Sequence, residues 1–240
     1  MCRHLAYLGR PRRLGELVID PPHSLVEQSY VPRRQKHGHV NADGFGVGWY
    51  ADGDPVPARY RRDIPIWADA SLGDLGRVIR SGTMMAAVRC GTPGMPHGEA
   101  ICAPFVHGRY LFSFNGAVHR WRELAGDLSA EELVRLDAPC DAVLLWLLTV
   151  RRLEAGATLP AALADIVALA GPLTDRLNLL LTSGTEIAAT AYGETLSWRE
   201  TGSGVVVVSE PYDDEPGWHD VPDNHLLHAT PDGVRIERLT

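Results

Sequence analysis

MCRHLAYLGR, residues 1–10, sets a cysteine directly behind the initiator methionine, with Arg3 and His4 next to it. Chain termini tolerate almost any residue, so the position alone carries no meaning. If Met1 is removed, however, Cys2 holds a thiol nucleophile and a free α-amine on one carbon. The residues behind it, RHLAYLG, read as a short strand ending at Gly9. Whether this terminus is an accident or a reactive group on the leading end of a strand is decided by the rest of the chain.

The 240 residues are 45% hydrophobic, enough for a substantial core in one large domain or two small ones. A formal charge of −7 argues against a nucleic-acid partner, which needs a basic face. The short basic clusters Arg33-Arg34-Gln35-Lys36 and Arg59 to Arg62 read as solvated faces. No apolar run is long enough for a membrane span, and the N-terminus lacks the apolar segment of a secretory signal. These features lead us to expect a cytoplasmic protein with no membrane partner. Cys2, Cys90, Cys102 and Cys140 form no CxxC pair, so a disulfide framework or zinc knuckle is not indicated. His37-Gly38-His39 lacks further ligands at metal-site spacing, and neither a metal nor a cofactor is expected. The oligomeric state is not readable, and a homo-oligomer is compatible with the sequence.

Further along, SLVEQSY suggests a short helix, and VGWY and ARYRRD suggest two strands joined at Asp52-Gly53-Asp54-Pro55. DASLGDLGRVIRSG has helical spacing at Leu72, Leu75, Val78 and Ile79, with Gly82 as its stop. TMMAAVRCG and RYLFSFNGAV read as buried strands. CDAVLLWLLTVRRLEAG is a strongly apolar helix with Asp141 at its positive N-terminal end. LPAALADIVALAG is a second helix, with Pro160 in its first turn. LNLLLTSG, EIAATAYG, TLSWRE and GVVVVSE then return to strands, followed by a hairpin closed at Pro231-Asp232-Gly233. Strands, then helices, then strands indicate an α+β fold, read as two largely antiparallel sheets packed together with helices outside.

Three motifs bear on chemistry. NADGFGVGWY, residues 41–50, has the glycines of a dinucleotide fingerprint but runs into Trp49-Tyr50, a strand-like end, where that fingerprint needs a helix. It reads instead as a tight turn entering a strand, with glycines where the backbone approaches something closely. AAVRCGTPG brings Arg89 to the end of an apolar strand, where its guanidinium needs a carboxylate from the protein or from a ligand. LFSFNGAV ends at Asn115-Gly116, either a turn dipeptide or a pair of donors for a developing oxyanion. Together, Cys2, Arg89, Asn115-Gly116 and Asp141 supply a nucleophile, a carboxylate holder, oxyanion donors and an acceptor for an ammonium. Glutamine and γ-glutamyl amides have the matching shape.

MCR, NADGFGVGWY, VRCGTPG, FNG and the Asp141 region resemble, in order, the class II glutamine amidotransferases, N-terminal-nucleophile hydrolases whose mature first residue is cysteine. The resemblance implies a four-layer α-β-β-α sandwich forming one such domain over residues 1–240. It implies Cys2 as nucleophile, Asn115 and Gly116 as oxyanion hole, and Arg89 and Thr92 as substrate-binding residues, Arg89 on the α-carboxylate. The α-ammonium falls to Asp141, with Asp137 nearby as the other candidate. Cys90, Pro93 and Phe114 depart from the pattern, which often has tryptophan, histidine and histidine there. DPPHSL, PIWADASLGDL, TPGMPHGEA, RLNLLLTSG and SEPYDDEPGW extend a likeness to the hydrolases of ergothioneine biosynthesis. That resemblance implies a small-molecule substrate, γ-glutamyl-hercynylcysteine S-oxide, whose γ-glutamyl amide is cleaved through a thioester on Cys2. The alternatives are a glutaminase delivering ammonia to a separate synthase, and a non-catalytic binding protein on the same scaffold.

Overall fold

The computed structural model describes residues 2–91, 94–134 and 136–239. Its first sheet is built from β1 (Arg3–Arg13), β2 (Phe45–Trp49), β3 (Ala58–Arg62) and β4 (Arg80–Val88). The second opens with β5 (Phe105–His107), β6 (Tyr110–Gly116), β7 (Leu177–Thr182) and β8 (Ile187–Ala191). β9 (Ser197–Thr201), β10 (Gly204–Val208) and β11 (His219–Asp220) return to the first sheet, and β12 (His225–Thr230) and β13 (Gly233–Arg238) complete the second. The orders are β11-β9-β10-β1-β4-β2-β3 and β13-β12-β8-β7-β6-β5. All these neighbours pair antiparallel.

Central strands here are apolar on both faces because both faces are covered. Along β1, Leu5 and Tyr7 pack outward against short helices α1 (Gly15–Val18), α2 (Leu25–Gln28) and α3 (Leu72–Val78). Ala6 and Leu8 point the other way, into a core shared with Leu111, Leu180 and Leu227 of the second sheet. On the far side, Phe112, Phe114, Leu179 and Leu181 pack against α5 (Asp141–Glu154) and α6 (Leu159–Ala170), which follow the small α4 (Ala130–Val134). Helices, sheet, sheet, helices: these are the four layers the sequence led us to expect. Thr158 caps α6 by accepting from Ala161 N, and Pro160 occupies its first turn.

Two boundaries differ from the sequence reading. β1 does not stop at Gly9; it continues to Arg13 through a register irregularity between Leu8 and Arg12. The hydroxyl of Tyr7 donates to the carbonyls of Arg10 and Ser203 across this bulge. Likewise α3 ends at Val78, because Ile79 is extended and buried and the chain turns directly into β4. Gly82 is therefore a strand residue, and a Cβ there would stand 2.8 Å from the Gly9 carbonyl.

Candidate active site

Strand parity places the chemistry. Arg3 lies opposite Val88 in the β1–β4 pairing, so Cys2 and Arg89 leave the first sheet side by side. His4, Ala6 and Leu8 belong to the face of β1 turned toward the second sheet, and Cys2 continues that alternation. On β6, Ser113 and Asn115 share the face turned back toward the first sheet. His4 Nδ1 lies 3.1 Å from Ser113 Oγ, linking the sheets immediately behind the nucleophile. Beyond that link, Cys2 N donates to Asn115 Oδ1 at 3.1 Å. The amide's other end, Asn115 Nδ2, is buried with no hydrogen-bond partner. An orphaned donor of that kind is costly unless something is meant to occupy it.

Asn115 and Gly116 are the last residues of β6, paired with Asn178 and Leu177, so the dipeptide is not a turn. Gly116 is required by space, since a Cβ would collide with the Arg176 carbonyl. Arg89 donates from Nη1 to the Asp43 carbonyl and from Nη2 to the Pro96 carbonyl, both at 3.2 Å. Among the described residues, no carboxylate lies at ion-pair distance from it, and the Asp141 carboxylate shares its cavity. Asp141 begins α5, almost wholly buried. Its Oδ2 accepts from Val118 N at 3.0 Å and its Oδ1 from Ala142 N at 2.9 Å. Burial pushes its pKa up, against the pull of these amides and of the Arg89 charge.

Cys2, Arg89, Gly116 and Asp141 line one cavity, whose apolar wall includes Phe45, Phe105 and Phe114. Asn115 stands at its edge through the bond to Cys2. Asp137, the other candidate for the ammonium, is exposed and not among the lining residues. Thr92 lies outside the described residues. Trp49 closes β2 and Tyr50 lies just beyond it, so a strand and no helix follows the glycines, which serve close approach: a Cβ on Gly44 would strike Cys102 Sγ, and one on Gly46 the Ala103 carbonyl. Among the described residues, no group of three or more His, Cys, Asp or Glu could hold a metal ion, and no helix is long and apolar enough to cross a membrane.

Sequence reasoning missed Asp43. Its Oδ2 accepts from Gly91 N at 2.7 Å, its N–H donates to the Arg89 carbonyl, and Arg89 N donates to the Gly44 carbonyl. These bonds clamp the backbone on both sides of the Arg89 side chain. The signal was present in NADGFG, as a carboxylate beside glycines that require close packing, but the glycines drew the whole reading.

No protein-family model matches the chain. It is 46% identical to a gamma-glutamyl-hercynylcysteine sulfoxide hydrolase of Mycolicibacterium smegmatis, over 95% of both chains. A protein of the same name from Mycobacterium tuberculosis is 41% identical over 100% of this chain and 97% of its own. Among solved structures, a glutamine aminotransferase class-II domain protein from Silicibacter pomeroyi superposes over the whole of both chains with a TM-score of 0.70 at 24% identity. Glutamine phosphoribosylpyrophosphate amidotransferase from B. subtilis matches all of this chain and 49% of its own, with a TM-score of 0.67 at 16% identity. These two establish the amidotransferase-type fold; the full-length kinship at 41–46% identity goes further, and the chain belongs to the gamma-glutamyl-hercynylcysteine sulfoxide hydrolase family.

Proposed function

We propose that this chain hydrolyses the γ-glutamyl amide of γ-glutamyl-hercynylcysteine sulfoxide, releasing glutamate and hercynylcysteine sulfoxide. The observation that carries the reading is the bond from Cys2 N to Asn115 Oδ1 at 3.1 Å, with Nδ2 of the same amide unpartnered beside it. Removal of Met1 turns that nitrogen into an α-amine. Such an amine titrates at about 7.7–8.0, close enough to neutrality to take and return a proton. It accepts the thiol proton of Cys2, and the sulfur attacks the γ-carbonyl carbon. Negative charge on the carbonyl oxygen meets Asn115 Nδ2 and the Gly116 N–H. The carbon–nitrogen bond breaks as the α-ammonium protonates the departing amine, leaving a γ-glutamyl thioester. Water then attacks the thioester, the amine takes the water's proton, and the thiol is restored.

Arg89 and Asp141 hold the two ends of the glutamyl group, the guanidinium on its α-carboxylate and the carboxylate on its ammonium. Asp43 positions Arg89 by fixing the backbone around it. The protein works in the cytoplasm as one amidotransferase-type domain over residues 1–240, acting on a small molecule. Wild type and a Cys2→Ala variant are incubated with the sulfoxide conjugate and with glutamine, and glutamate is followed by mass spectrometry. The expected result is release by wild type, preferentially from the conjugate, and none by the variant. Equal release by both proteins removes Cys2 from the mechanism, and release from glutamine alone favours an ammonia-delivering glutaminase.

A further inference from the structure

His37-Gly38-His39 belongs to the loop between α2 and β2, and that loop is tied down on both sides of this stretch. Before it, the buried Glu210 carboxylate accepts from Arg33 N at 3.0 Å and from Arg34 N at 2.5 Å, with His23 Nε2 2.8 Å away. Gln35 Oε1 accepts from Arg3 Nε at 3.2 Å and from Asn41 Nδ2 at 3.0 Å. Arg3 directly follows the nucleophile and is itself fully buried, with Glu194 Oε2 3.9 Å from its Nη2. Lys36 Nζ donates to the Gly193 carbonyl at 2.9 Å. With anchors at residues 33–36 and 41, the tip formed by residues 37–39 is a fixed wall beside Cys2.

That wall meets the active-site cavity at Cys90. A Cβ on Gly38 would stand 3.4 Å from Cys90 Sγ, and Gly38 has a φ of +72°, which favours glycine. Cys90 lines the same cavity as Cys2, Arg89 and Asp141. It is half-buried, and His37, Gly38 and His39 are exposed, so the cavity meets solvent along this line. Elsewhere Phe45, Phe105 and Phe114 close it with buried rings.

We propose that the gap between Gly38 and Cys90 is the passage for the leaving amine, and that Cys90, through its small size, determines which γ-glutamyl amides enter. The assignment rests on the hydrolase reading above. With the glutamyl carboxylate on Arg89 and its ammonium on Asp141, a γ-carbonyl at Cys2 puts the amide nitrogen on the remaining side of the sulfur. Asp141 reaches the cavity from the helix layer behind the second sheet, whereas the loop of residues 33–41 reaches it from beside Arg3 on the first. In glutamine the group on that side is only ammonia, and a large residue at 90 obstructs nothing. In the sulfoxide conjugate it is a cysteine carrying an imidazole, which needs room within a few bonds of Cys2. Both walls of the gap are small here: Gly38 has no side chain, and Cys90 stands where the class II amidotransferase pattern often has tryptophan. Specificity of this kind comes from the clash a larger wall would create.

The test is a size series at one position: Cys90→Ala, Cys90→Leu and Cys90→Trp. Each protein is assayed for glutamate release from the sulfoxide conjugate. Each is also treated with 6-diazo-5-oxonorleucine, a glutamine-shaped diazoketone that alkylates a thiol with loss of dinitrogen and has no leaving amine. Peptide mass mapping follows its addition to Cys2. The alanine variant is expected to keep both rates. The leucine variant is expected to lose kcat/KM on the conjugate and the tryptophan variant to lose at least about tenfold, while both keep the wild-type rate of Cys2 labelling. Labelling also reports an intact glutamyl cavity, and the alanine–leucine pair decides the matter should the tryptophan protein fail to fold. Conjugate turnover indifferent to residue 90, or losses that fall equally on turnover and labelling, overturns the passage. So does an alanine variant as slow as the tryptophan one, since the thiol and not its size would then be at work. Wild-type protein that is labelled at Cys2 but releases no glutamate from the conjugate overturns the substrate reading itself, and the passage with it.

Discussion

His4 sits two residues behind the nucleophile, fully buried between the sheets, with Nδ1 at Ser113 Oγ and Nε2 without a partner. Burial drives its pKa from 6.5 down to about 3, with a further push from the neighbouring Arg3 charge. The folded ring therefore stays neutral while the unfolded chain takes up a proton near 6.5. The unfolded state binds more protons in that window, so stability falls as pH drops from 6.5 toward 3. Melting temperature measured against pH should show this acid limb, and His4→Gln should flatten it between those values. At this scale the sequence was informative about which residues meet: Cys2, Arg89, Gly116 and Asp141 line one cavity. It was silent about Asp43, Ser113 and Glu194, because their positions depend on pairings and loop contacts that no local pattern encodes.

The elements were legible wherever a long apolar run left one choice, as in α5, α6, β4 and β7. β5 was not: only three residues long, it is defined by its pairing with β6 rather than by its own composition. Asn115-Gly116 shows the same limit, since a dipeptide with strong turn character is held straight by partners on β7. The glycines of β2 carry more information than their weak strand preference suggests. A Cβ on Gly46 would collide with the Ala103 carbonyl, and one on Gly48 would stand 2.9 Å from the Leu111 side chain, so either would push the sheets apart. Gly46→Ala is expected to destabilise the fold by about 1–3 kcal/mol, as overpacking does. Denaturant unfolding gives the number, and an unchanged midpoint would show that the loop at Ala103 yields freely.

Across the whole molecule, the order strands, helices, strands was sufficient to suggest the layers, but not which strands are neighbours. β1 lies inside the first sheet between β4 and β10, and its partner Val208 stands opposite Leu5 from the far end of the chain. This arrangement holds the terminus in place whether or not its amine is free. A short peptide tag ahead of Cys2 that cannot be trimmed should therefore leave the melting temperature nearly unchanged and abolish glutamate release. Intact-mass measurement would report the retained residues, and a fully active tagged protein would show that the amine is not the proton carrier.

The central position of β1 also sets a timetable. During synthesis β1 is made well before one of its two flanking partners, which is not complete until the ribosome has passed Val208. β1 thus waits with one side open to peptidases until that partner is made. A product broken off ahead of β10 carries the sulfur and nitrogen of the working protein with a bare edge where that partner belongs.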